Sequence, residues 1–236
     1  MIRLPRIKQT VANNIHDLSN LKTVIAFSLY GNADRYIDGL IKNCEIIKNT
    51  FPTFLTYIFI GNDFDKNILS RLNDFTNIKI IETGLSGHVN MSMRFTAIDY
   101  PEVGIAFSRD CDSFINRRDI YCITNFIYSD KKFQIIRDHP DSHNVEILGG
   151  MWGIKKGLLN FKLSDAINNF YNHISPAHGT DQLFLRHVIY LKIKPYAITY
   201  NEFYTIPGEY TEKINTGVPW TSYNHIGAVV SYEQSN

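Results

Sequence analysis

VGIAF at residues 103–107 runs straight into SRDCDS at residues 108–113, and this passage from an apolar run into two aspartates decides how the chain reads. A short run rich in β-branched and aromatic residues and closed by polar ones is a strand. In extended backbone the side chains at i and i+2 share a face, so Asp110 and Asp112 can converge on one point just past the strand's end. Mg²⁺ or Mn²⁺ is commonly held by one or two carboxylates plus the phosphate oxygens of a substrate, which suits that pair. A cation there would stabilise charge developing on a departing diphosphate. Taken alone, D-x-D is also a frequent accident of loop capping, so its placement after an apolar strand matters more than its presence.

Toward the N-terminus, KTVIAFSLY at residues 22–30 is a strand closed by Gly31. From Asp34, the apolar residues Ile37, Leu40, Ile41, Cys44 and Ile47 recur at helical spacing until Phe51-Pro52 stops the helix. A second strand is expected at 54–60, a short helix around 67–73, a third strand at 78–81 and a helix at 91–98 before the strand at 103–107. Strands alternating with helices imply a parallel, doubly wound sheet, and in such sheets ligands sit beyond the carboxyl ends of the strands. The second half is less regular: a strand near 133–136, a loop at 137–144, an apolar stretch entering Gly149-Gly150, helices near 163–171 and 181–191, and a turn-rich tail from Pro207. Thr180 reads as an N-cap with Asp181 and Gln182 in the first helical turn, where the helix dipole favours an ionised Asp181.

The order of these pieces resembles the GT-A class of glycosyltransferases, in which an arginine-bearing helix (Met91-Ser92-Met93-Arg94-Phe95 here) precedes the strand that enters D-x-D. Arg137-Asp138-His139-Pro140, the stretch from Ile147 to Gly153, Thr180-Asp181-Gln182 and Asn224-His225-Ile226-Gly227 resemble, in the same order, motifs of small D-x-D transferases, including those related to glycogenin. The resemblance implies one GT-A, Rossmann-like α/β domain over 1–236, with a mixed, mostly parallel central sheet flanked by helices. Residues 1–21 would be an N-terminal extension, 22–113 the nucleotide-binding half ending in D-x-D, and 114–236 the acceptor-binding half with the tail. The segment around Gly149-Gly150 departs from the glycogenin-type pattern, and no Lys-Pro-Trp run follows His225.

On that resemblance Asp110, Asp112 and His225 would hold Mn²⁺ or Mg²⁺, the nitrogen ligand favouring Mn²⁺. Ser28, Leu29, Tyr30, Arg94, Asp110, Cys111, Asp112 and Lys155 would bind a UDP- or GDP-linked sugar, with Tyr30 stacking on the base and Arg94 near the phosphates or the carboxylates. Gly149, Gly150, Met151 and Trp152 would face a glycan or glycoprotein acceptor. Asp181 and Gln182 would lie near the reacting carbon, and Asp138 or Asp181 would be the general base if stereochemistry inverts. Each has an ordinary structural alternative: Tyr30, Met151 and Trp152 as core, Arg94 and Lys155 as solvated charges, Asp181 as a helix-start carboxylate, His225 as a surface residue.

Composition narrows the classes. The 236 residues, 44% of them hydrophobic, suffice for one sizeable core, and 24 Lys plus Arg against 23 Asp plus Glu give a formal charge of +1. With no run of five or more like charges, a nucleic-acid partner, which would need a concentrated basic face, is disfavoured. The first twenty residues lack the apolar core of a secretory signal, nothing reaches the roughly 18 apolar residues of a membrane span, and Cys44, Cys111 and Cys122 form no C-x-x-C pair. These features point to a cytoplasmic protein. His139 and His143 are four apart, but Pro140 between them argues against a helical zinc pair.

Three other readings share the D-x-D signal. A haloacid-dehalogenase-type phosphatase would use the first aspartate as nucleophile, but that motif normally opens its domain, whereas several strands and helices precede Asp110 here. A nucleotidyltransferase of similar fold, or a non-catalytic nucleotide-sugar binding module, would keep the pocket and change the chemistry.

Overall fold

KTVIAFSL forms β1 (Lys22–Leu29), whose last six residues are all buried. A central parallel strand is covered on both faces, which is why it reads as a near-continuous apolar run rather than an alternation. Its side chains still alternate in space: Val24 and Ala26 enter one core, and Ile25, Phe27 and Leu29 the other. The computed structural model that shows this describes residues 20–31, 34–64, 66–72, 74–203 and 205–229. Most of the expected N-terminal extension therefore lies outside the described residues.

The strands β2 (Leu55–Ile60), β3 (Ile78–Glu82), β4 (Val103–Ser108), β5 (Phe133–Arg137), β6 (Trp152–Lys155), β7 (Ala197–Asn201) and β8 (Thr211–Glu212) complete one sheet in the order β3-β2-β1-β4-β6-β5-β7-β8. Among the described strands only β6 runs antiparallel, to both β4 and β5; the other neighbouring pairs are parallel. The two halves expected from the sequence thus share one sheet through the β4–β6 pairing, giving the mixed, mostly parallel α/β architecture.

Helix α1 (Asp34–Thr50) lays Ile37, Leu40, Cys44 and Ile47 on one face of the sheet and ends where Phe51-Pro52 was expected to stop it. On the other face lie α2 (His88–Met91) with the 3₁₀ turns Ser92–Asp99 that continue it, α4 (Leu163–Tyr171), and α5 (Thr180–Phe184) with its π-helical continuation Leu185–Tyr190. The helix expected at 91–98 is therefore largely 3₁₀. Ser92, Arg94, Phe95, Thr96, Ala97 and Ile98 are all buried there, so no solvent face imposes an α-helical period. The helix expected near 67–73 is likewise a 3₁₀ segment, Lys66–Leu72.

Helix α3 (Arg117–Tyr128) and strands β7 and β8 have no counterpart in the sequence reading. Asn116 caps α3 by accepting the N–H groups of Arg118 and Asp119, and Cys122, Ile123 and Phe126 are its buried positions. The apolar stretch before Gly149 is loop, and the strand begins only at Trp152. Gly179, not Thr180, caps α5, since the Thr180 hydroxyl turns back to accept the Ala177 N–H. Among the described residues no helix is long and apolar enough to cross a membrane.

Candidate active site

Past the end of β4 the chain alternates between core and cleft. Arg109 turns inward: its guanidinium makes two bonds to Asp119 of α3, at 2.8 and 2.7 Å, and donates to the carbonyls of Ser108 and Trp152. Cys111 also turns inward, its thiol donating to the Ser28 carbonyl. Asp110 and Asp112 consequently face the same cleft, as the i, i+2 spacing requires. Helix α1 fixes this turn from behind. Asn43, fully buried, donates to the Ser113 carbonyl and accepts the Ile115 N–H, both at 2.9 Å. Gly39 lets α1 press against the Cys111 carbonyl, since a Cβ there would sit 2.1 Å from that oxygen.

Arg94 lies beneath the cleft, 4% exposed, with one guanidinium nitrogen 2.7 Å from Asp110 and another 3.6 Å from Asp181. Burial disfavours its charge, but Asp110 and Asp181 outweigh that and push its pKa up. Asp181 is 2% exposed, and its Oδ1 has no hydrogen-bond partner among the described residues. Burial, against the opposing pull of Arg94, raises its carboxyl above the usual range. Asp112 is raised as well, by burial and then by Asp110 beside it. Arg94 is thus paired with two carboxylates, and at Asp112 burial and the like charge of Asp110 outweigh the weaker pull of Arg35 and Arg94.

Gly149 and Gly150 thread the backbone between these groups. Neither has a positive φ; what they supply is absence of a side chain. A Cβ on Gly149 would lie 2.4 Å from an Asp181 oxygen, and one on Gly150 would lie 2.0 Å from Asp110 Oδ2 and 2.9 Å from its backbone nitrogen. The Ser108 hydroxyl holds the Gly149 carbonyl at 2.6 Å. Gly150→Ala is expected to cost about 1–3 kcal/mol, as overpacking does, and to swing Asp110 off Arg94. Denaturant unfolding checks this, and an unchanged midpoint would show that the backbone has room to yield at Gly150.

The cleft, about 540 Å³, spans three sheet positions. On the β1 flank stand Ser28, Leu29 and half-buried Tyr30, whose ring is 6.0 Å from that of His88 and whose hydroxyl reaches the Met91 sulfur at 3.8 Å. Asp110 and Asp112 occupy the centre. On the far flank are His139, His143 and His225, with Gly149, Gly150 and Met151 in the floor, while Asp181 and Gln182 come in from α5.

Three of the sequence candidates do not reach the cleft. Asp138 is fully buried, with both carboxylate oxygens bonded to Arg118 at 2.7 and 2.6 Å and one of them also accepting the Ile226 N–H. It is a strut for the tail, not an accessible base. Trp152 is packed between Phe133, stacked at 5.3 Å, and Phe95, edge-on at 5.2 Å, so its ring cannot face a sugar. Lys155 donates to the carbonyls of Ile127 and Ser129 and lies over the Phe126 ring, away from the cleft. His225 lines the cleft but packs against His139 and His143. Among the described residues no three His, Cys, Asp or Glu side chains converge as a ligand set. Asp110 and Asp112 are oxygen donors of the kind Mg²⁺ or Mn²⁺ takes, and a cation held by them would need further oxygens from elsewhere.

The sequence matches no protein-family model and no curated protein. Solved structures share the fold. A glycosyltransferase involved in the glycosylation of the major capsid of PBCV-1 superposes with a TM-score of 0.50 at 12% identity, covering 76% of this chain and 81% of that one. The mannosyltransferase PcManGT from Pyrobaculum calidifontis, in complex with GDP-Man and Mn²⁺, gives 0.51 at 10% identity over 83% of this chain and 57% of its own.

Proposed function

We propose that the chain is a cation-dependent glycosyltransferase that moves a sugar from a UDP- or GDP-linked donor to a hydroxyl of a glycan or protein acceptor. The observation that carries this reading is the Asp110–Asp112 pair at the carboxyl end of β4, both side chains in the cleft, with Asp112 raised by burial and by its neighbour. Asp110 and Asp112 would hold Mn²⁺ or Mg²⁺, which when bound neutralises charge gathering on the leaving diphosphate. Arg94 fixes Asp110 and, through it, the direction in which the carboxylate pair points. Ser28, Leu29 and Tyr30 form the wall for the nucleoside, and the Tyr30 ring is the stacking surface. Asp181 and Gln182 face the sugar, and the unpartnered Asp181 Oδ1 is an acceptor for one of its hydroxyls. Of the two carboxylates named as candidate bases, Asp181 alone lines the cleft.

The test is thermal unfolding against UDP, GDP and their sugar conjugates, each with and without Mn²⁺. A ligand at a hundred times its Kd stabilises the native state by about 2.7 kcal/mol, and each kcal/mol moves the midpoint by roughly 2–4 °C in a domain of this size. A rise of several degrees that needs the cation is the expected result. No shift with any of them would sink the proposal, and release of pyrophosphate from a nucleoside triphosphate would replace it with nucleotidyl transfer.

A further inference from the structure

The three histidines on the far flank of the cleft are not chemically equivalent. His139 Nδ1 accepts the backbone N–H groups of Asp141 and Ser142, each at 3.1 Å, and His143 Nδ1 accepts that of Asp138 at 2.9 Å. An N–H only donates, so both Nδ1 atoms carry lone pairs, and in the neutral ring the proton is on Nε2. His225 is the reverse: its Nδ1 lies 2.9 Å from the Ser222 carbonyl, which only accepts, so Nδ1 is protonated and Nε2 is bare. No described residue hydrogen-bonds any of the three Nε2 atoms. The flank therefore offers two donors and one acceptor, with ring centroids 4.7, 5.6 and 5.8 Å apart.

Contacts from the tail surround the cluster. Trp220 packs edge-on to His139 and donates to the Asp138 carbonyl, and the Asp138 carboxylate takes the N–H of Ile226, next to His225. Burial, with His225 and His139 nearby, holds His143 down at about 3, so its ring is neutral at physiological pH.

Three observations select the ligand. A metal is disfavoured, because ligation through Nε2 of His139 or His143 would need tautomers that break their backbone bonds, and no described histidine set converges on a metal. A phosphate oxygen only accepts and would leave the bare Nε2 of His225 facing another lone pair, whereas a hydroxyl both donates and accepts. The sheet order β1-β4-β6-β5 places the loop after β5 on the opposite side of Asp110 and Asp112 from Ser28–Tyr30.

We propose that this histidine flank is a carbohydrate acceptor subsite, in which His139 and His143 donate from Nε2 to acceptor oxygens while Nε2 of His225 accepts from an acceptor hydroxyl. The inference rests on the transferase reading for the place of the donor.

His139→Asn tests it, because the asparagine carbonyl can accept the same two backbone N–H groups while the Nε2 edge is removed. Methyl glycosides of glucose, galactose, mannose and N-acetylglucosamine are titrated by NMR into wild type and variant, with UDP or GDP and Mn²⁺ present, and nucleotide affinity is measured separately by calorimetry. Wild type is expected to bind at least one glycoside, and His139→Asn to weaken it tenfold or more with nucleotide affinity within twofold. No glycoside bound by wild type, an unchanged glycoside affinity in the variant, or a parallel loss of nucleotide affinity would each overturn the proposal. Glycoside binding by a wild type that binds no nucleotide with or without Mn²⁺ would instead overturn the transferase reading beneath it.

Discussion

Asp112→Asn is expected to leave the fold intact and to remove cation-dependent nucleotide binding, with transfer falling by about 10²–10³-fold, the scale on which a lost electrostatic stabiliser shows. The amide matches the carboxylate in size, and Asp112 is half-buried and makes no ion pair among the described residues. Its carboxyl is raised in the fold, so relative to the unfolded chain the ionised form costs stability, and the cost grows as pH rises through the folded-state pKa. Removing the charge should therefore keep or slightly raise the unfolding midpoint without metal while cancelling the rise that nucleotide plus Mn²⁺ produces. Asp110→Asn is the less informative change, because it also strips Arg94 of its 2.7 Å partner and mixes stability with binding. Calorimetric titration decides the matter: an Asp112→Asn protein that binds nucleotide as wild type does would end the metal role of that residue.

The sequence was legible where the physics is local. The apolar run of β1, the helical spacing of α1 with its stop at Phe51-Pro52, and the turn into Asp110 and Asp112 depend on neighbours within a few residues, and the structure has them within a residue or two of expectation. The paired glycines read as a wall for an acceptor, whereas the groups whose close approach they admit, Asp110 and Asp181, lie about 30–40 residues away on either side. What failed needed distant partners. Trp152 next to Gly153 has no local feature that says whether the ring faces a sugar or lies between Phe95 and Phe133. Lys155 reads as a free cation until the chain end of α3 brings two carbonyls to it. Helix α3 did carry a signal, Asn116 as cap followed by Ile123 and Phe126 at helical spacing, that the sequence reading passed over.

Asp138 is the sharpest such case, and it yields the second large effect. A carboxylate after a strand in Arg-Asp-His-Pro invites a catalytic role, but Arg118, twenty residues earlier on α3, takes both its oxygens, and Glu202 bonds the same guanidinium at 3.2 Å. Arg118 is 3% exposed and Asp138 not at all. Arg118→Met is expected to strand a buried charge and destabilise the protein by about 3–5 kcal/mol, visible as a midpoint lowered by roughly 6–20 °C. The double change to Arg118→Met with Asp138→Leu should recover part of that, since no charge is left stranded, while the Ile226 N–H loses its acceptor. Asp138→Asn separates structure from chemistry. A general base there would lose about 10²–10⁴-fold in kcat, whereas a strut should lower the midpoint and, through Ile226, Trp220 and His143, raise the acceptor KM while kcat stays within about tenfold. A collapse of kcat in folded Asp138→Asn protein, with its acceptor KM unmoved, would restore Asp138 to catalysis and show that its pairing with Arg118 opens during turnover.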